Sequence, residues 1–133
     1  YREFGERVGR LATALRGLGI QPGDRVAYLS FNTHQLLEGY YGVVQAHAIV
    51  MPLNVRLSPQ ELIAILNHSG ARMLMYEQDF LPLIDILKQH CPAIEHWLQL
   101  DHTSAYEDLL ATGSPERADI FAYDESSPAE LFY

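Results

Sequence analysis

Cysteine is almost absent from this sequence. The single Cys91 leaves no internal disulfide to form and fits a reducing compartment. Cations are scarce too: nine Lys and Arg stand against 17 Asp and Glu, for a net charge of −8. Phosphate-rich partners need clustered Lys and Arg, so this balance argues against a nucleic-acid surface and disfavours an anionic membrane surface. Long apolar runs are also missing, because Pro, His or a charged residue interrupts each one before it reaches transmembrane length. Tyr1-Arg2-Glu3-Phe4 is neither a charged n-region nor an apolar h-region. The expected location is the cytosol. Asn67-His68-Ser69 matches a glycosylation sequon, which has no use without a secretory signal.

Metal and nucleotide motifs are lacking as well. The six histidines show no ligand spacing with cysteines or carboxylates, and His90-Cys91, the closest approach to a soft pair, is followed at once by Pro92. Nothing near Cys91 in sequence lowers its pKa, which weakens it as a nucleophile. Gly17-Leu18-Gly19 sits at a helix end and does not open one after a strand, so it fails the test for a phosphate loop. Asp24 and Arg25 stand at the start of a strand, the wrong end for a ligand in an open α/β sheet. The first strand ends Leu29-Ser30-Phe31-Asn32 without a carboxylate, which disfavours a phospho-accepting receiver domain. No catalytic or metal-binding residue is assigned.

What is present is alternation. Phe4, Val8, Leu11, Ala12, Leu15 and Leu18 mark one face of a helix over Arg2 to Leu18, with Glu3–Arg7 and Glu6–Arg10 as acid-before-base pairs on its wet side. A turn at Gln21-Pro22-Gly23-Asp24 leads to a strand over Arg25 to Leu29. A second helix spans Thr33 to His47, with Leu37, Tyr40, Tyr41, Val44 and Ala48 on one face and Gly39, Gly42 and Ala46 forming a separate small-residue stripe read as close packing of the helix on a sheet. Ile49 to Leu53 reads as a strand. Ser58, Pro59 and Glu61 form a capping box, with Leu57 and Leu62 as a hydrophobic staple, for a helix from Pro59 to Asn67 that ends near Gly70. Then follow a strand at Arg72 to Tyr76, a helix at Leu81 to His90, a strand at His96 to Leu100 and a short helix at Tyr106 to Leu110. Thr112 to Pro128 reads as polar loop and Ala129 onward as a final strand. The expected fold is α/β and three-layered, a mostly parallel, Rossmann-like sheet of about five strands with helices on both faces. Residues 1–133 are expected to form one such α/β subdomain, and Leu131-Phe132-Tyr133 read as a strand stopped in mid-course.

Several segments in order resemble the adenylate-forming, AMP-binding enzymes, most of all the fatty-acid and other acyl-CoA synthetases. Tyr1-Arg2-Glu3-Phe4 is similar to the family's "TYxEL", and Leu15 to Ala27, LRGLGIQPGDRVA, to "ALxxLGVxPGDRVA". Gln45 to Asn54, QAHAIVMPLN, resembles "KAGAVVVPLN" and leads into Arg56-Leu57-Ser58-Pro59-Gln60-Glu61-Leu62; Pro128 to Tyr133 resembles the start of "PAxIxYTSGTTG". The resemblance covers the whole chain. Two positions depart from it: His47 replaces the usual glycine, where a positive φ is less well tolerated, and Phe31 replaces a proline.

The resemblance implies a two-step ligase. A carboxylic acid, expected to be a fatty acid, attacks Mg-ATP to give an acyl-adenylate and pyrophosphate, and the CoA thiol then displaces AMP. ATP, CoA and Mg²⁺ are the implied cofactors of the full-length enzyme. Its phosphate loop, its adenine and ribose contacts and its catalytic lysine all align after Tyr133, so the 133 residues themselves are expected to be inert and to pack against the rest of their own chain. The resemblance places the turn after the "VPLN" strand beside the nucleotide end of CoA, which makes Asn54 and Arg56 the candidate cofactor-binding residues. A solvated arginine on a turn is the plain alternative. An amino-acid adenylation domain is the runner-up function, though Asp is usual there at the position of Asn54. A luciferase-like oxidoreductase is a third member of the family. A non-enzymatic α/β interaction module, complete as given, is the alternative from another class.

Overall fold

Apolar residues three and four apart wind Arg2–Gly17 into α1, which buries Val8, Leu11, Ala12 and Leu15. The computed structural model describes residues 2–31 and 33–115. After α1 come β1 (Arg25–Leu29), α2 (His34–Gln45), β2 (Ile49–Pro52), α3 (Pro59–Ser69) and β3 (Met73–Tyr76). A single 3₁₀ turn at Gln78–Phe80 then runs into α4 (Leu81–His90), followed by β4 (His96–Gln99) and α5 (Ala105–Ala111). The four strands pair in the order β2-β1-β3-β4, all parallel. The fifth strand expected from Ala129, and most of the loop before it, lie outside the described residues.

Period-2 alternation in the strands separates two cores. Val26 and Tyr28 of β1, with Val50, Met73 and Met75, face a layer made by α1, α2 and α5. Ala27, Leu29, Met51 and Leu74 face the opposite layer, where α3 and α4 contribute Leu62, Leu66, Ile84 and Leu87. Both sheet faces are covered, as parallel strands require. The α3 cap forms in full: Ser58 Oγ accepts from the Glu61 N–H at 3.2 Å and Glu61 Oε1 from the Ser58 N–H at 3.2 Å. Leu62 is fully buried, and Leu57 packs on the same core, so the staple closes.

Two expectations about side chains need correction. In α2 the inward face carries Leu36, Gly39, Gly42 and Val43, whereas Leu37 and Tyr41 are 51% and 54% exposed. The small-residue stripe decides the orientation, because it lets α2 approach closely. Gly39 lies against the ring and hydroxyl of Tyr28 in the sheet, and Gly42 against Leu11 of α1. In α1 the helical pair formed is Arg2–Glu6, at 3.5 Å. Arg7 turns inward to carboxylates on two other helices, and Arg10 donates to the carbonyl of Gly113 at 3.2 Å.

His47 adopts the left-handed conformation, with φ of 64°. The turn is held on both sides: His47 N–H donates to Val44 O at 2.9 Å, and its carbonyl accepts from Gly23 N–H at 2.8 Å. The turn is therefore kept, with a non-glycine residue in a region that favours glycine.

Candidate functional site

All four strands point their carboxyl ends the same way, so the loops after them form one edge of the sheet. Ligands of open α/β sheets bind along such an edge. The turn after β2 is built by alternation. Leu53 is buried and its N–H donates to Tyr28 O at 2.8 Å, which fixes the exit of the strand. Val55 and Leu57 pack onto the core between the sheet and α3 and α4, and this directs Asn54 and Arg56 to solvent. Asn54 Oδ1 accepts from Arg56 N–H at 2.9 Å, and Asn54 O accepts from Leu57 N–H at 3.2 Å. Asn54 thus closes the turn with its own side chain, an arrangement its short amide favours. The Arg56 guanidinium is exposed and forms no ion pair among the described residues.

The neighbouring loops are tied together by a buried carboxylate. Glu77, just past β3, accepts at Oε1 from the Ser30 hydroxyl at 2.6 Å and from the Phe31 N–H at 3.1 Å. Ser30 and Glu77 are 8% and 7% exposed, so this pair is shielded from water. Above it the rings of Phe31 and Phe80 pack at 5.5 Å. Next along the edge, Asp101 Oδ1 accepts from the Gln78 N–H at 2.7 Å. An open groove of about 410 Å³ lies at the start of α2, lined by Thr33, His34, Leu36, Leu37 and Tyr40.

This edge is poorly suited to phosphates except at the β2 turn. A helix start binds anions through free N–H groups and its positive dipole end. Here Thr33 Oγ1 already accepts from Leu36 N–H at the start of α2, and the Ser58–Glu61 box fills the start of α3. The carboxylates of Glu61, Glu77 and Asp101 occupy the amides that a phosphate would otherwise take, and they repel a second anion. Among the described residues no three His, Cys, Asp or Glu side chains gather to hold a metal ion. Cys91 is buried, and burial raises its thiol pKa, the opposite of nucleophile activation. At the other end of the sheet Arg25 is structural: it donates to the carbonyls of Ser69 at 2.6 Å, Gly23 at 3.1 Å and Gly70 at 3.3 Å. Among the described residues no helix is long and apolar enough to cross a membrane.

Sequence reasoning missed a polar knot between α1, α2 and α5. Glu38 of α2, 3% exposed, accepts from Arg7 and, at Oε1, from the Tyr106 hydroxyl at 2.7 Å. The Arg7 guanidinium also donates to Glu107 at 2.8 and 2.7 Å. Burial raises the Tyr106 pKa, and so does its bond to Glu38, while Arg7 holds the Glu107 carboxyl below its usual range. The one available signal was a glutamate set inside the apolar run Leu36-Leu37-Glu38-Gly39-Tyr40.

Comparison with known proteins places this geometry. The family model described as AMP-binding enzyme matches residues 1–133. The chain is 36% identical over 128 residues to a long-chain-fatty-acid–CoA ligase of Thermus thermophilus, covering 89% of this chain and 24% of the ligase. It is 30% identical over 145 residues to 4-hydroxybutyrate–CoA ligase 2 of Metallosphaera sedula, covering all of this chain and 26% of that protein. Among solved structures, a Mycobacterium tuberculosis fatty acyl CoA synthetase superposes with a TM-score of 0.88 at 24% identity, over 98% of this chain and 26% of that one. The N-terminal domain of FACL13 from the same organism gives 0.86 at 24%, over 96% and 32%. The structural likenesses establish the fold, and the chain spans about a quarter of the length of these curated relatives. By its sequence, over its whole length, the chain belongs to the AMP-binding enzyme family.

Proposed function

We propose that residues 1–133 form the N-terminal scaffold subdomain of an ATP-dependent acyl-CoA ligase, which joins a carboxylic acid to CoA with conversion of ATP to AMP and pyrophosphate. The observation that carries this reading is the breadth of the similarity: relatives that match nine-tenths or more of the chain are CoA ligases for different acids. A fatty acid is the favoured substrate class, supported by the fatty-acid ligases among the relatives. The cytosol is the favoured location, supported by the lone, buried thiol of Cys91.

The division of labour follows from the sheet edge. Adenylate formation needs neutralised phosphate charge and a positioned metal ion. The side-chain caps of α2 and α3 and the carboxylates of Glu61, Glu77 and Asp101 disfavour such a place along this edge, so the ATP chemistry falls to sequence outside this segment. The turn after β2 takes the second substrate. Arg56 projects its guanidinium into solvent and holds a phosphate at the nucleotide end of CoA, for which a planar, permanent cation with forked donors is suited. Asn54 shapes that turn through its bond to the Arg56 N–H and sets the direction of the arginine. The segment by itself is catalytically inert.

The test is a chimera in which these residues replace the matching quarter of the Thermus thermophilus ligase, assayed for carboxylate-dependent ATP–pyrophosphate exchange and for thioester formation across a panel of acids. Activity with CoA and fatty acids supports the reading. A folded chimera that catalyses neither half-reaction overturns it.

A further inference from the structure

We draw no further inference here: the strongest candidate, the open apolar groove at the start of α2 lined by Leu36, Leu37 and Tyr40, carries nothing because the structure does not show what covers it.

Discussion

The hydroxyl of Ser30, at the end of β1, donates to the carboxylate of Glu77, at the end of β3, across 2.6 Å in a site closed to water. This bond and the one from Phe31 N–H hold two loops of the ligand edge in register. Removing the carboxylate leaves the Phe31 N–H without its acceptor and turns the Ser30 hydroxyl back to the Phe31 carbonyl, at 2.8 Å. Glu77→Ala is expected to destabilise the protein by about 1–3 kcal/mol, the usual effect of orphaning buried polar groups. Urea denaturation of Glu77→Ala, Ser30→Ala and the double variant measures it. Additive single effects would show that the two residues are not coupled.

Gly39 lies so close to Tyr28 that a Cβ there would meet the tyrosine ring and its hydroxyl, which has no hydrogen-bond partner among the described residues. Gly39→Ala is therefore expected to lose about 1–3 kcal/mol through overpacking, despite a helix-propensity gain of up to about 1 kcal/mol. Tyr28→Phe removes the hydroxyl but leaves the ring carbon Cζ in the way of the added Cβ, so it is expected to be near neutral alone and to relieve Gly39→Ala only in part. Thermal unfolding of the four proteins checks this, and full rescue would place the obstruction at the hydroxyl alone.

The knot around Arg7 predicts a pH dependence. Its guanidinium, by hydrogen bonding and then by charge, lowers the Glu107 pKa. A carboxyl lowered on folding adds stability above its unfolded pKa of about 4.3 and loses it as pH falls through the folded value. Glu107→Gln is thus expected to flatten the acid limb of the stability profile below about pH 5, modestly, since the Glu107 side chain is 56% exposed. Arg7→Met is expected to do more, about 3 kcal/mol at neutral pH, because it strands the buried Glu38 charge. Denaturation midpoints from acid to neutral pH test both; an unchanged acid limb for Glu107→Gln would contradict the linkage.

Most of the fold is legible in the sequence because its local signals agree. The Ser58–Glu61 box, Gly70 after α3 and the strand–helix alternation each act over a few residues, and the elements follow them to within two or three residues. What escaped reading depends on distant partners. The Gly39, Gly42 and Ala46 stripe announces close packing on the sheet, but only the approach to Tyr28 and Leu11 shows that Leu37 and Tyr41, on the apolar face, stay exposed. Arg7 has a helical neighbour in Glu3, yet Glu38 and Glu107, 31 and 100 residues away in sequence, capture it. The same holds for the candidate site. Asn54 and Arg56 come from one turn that a local motif reveals, while Ser30 and Glu77 meet only through the β1–β3 pairing.

Isolated residues 1–133 are expected to bind no Mg-ATP at micromolar concentrations. The starts of α2 and α3 are capped by Thr33 and by the Ser58–Glu61 box, and Glu77 and Asp101 take up nearby amides. Calorimetric titration decides, and a micromolar dissociation constant would show a phosphate site that these caps do not close.

The most direct test of the account compares the two half-reactions at Arg56. In the chimera with the Thermus thermophilus ligase, wild-type sequence is expected to support both pyrophosphate exchange and thioester formation. Arg56→Ala is expected to raise the KM for CoA several-fold, equivalent to about 1 kcal/mol for an exposed charge-assisted contact, and to leave pyrophosphate exchange unchanged, because CoA enters only the second step. Equal losses in exchange and thioester formation, or an unaltered KM for CoA, would contradict the assignment and make Arg56 a solvated residue on a turn.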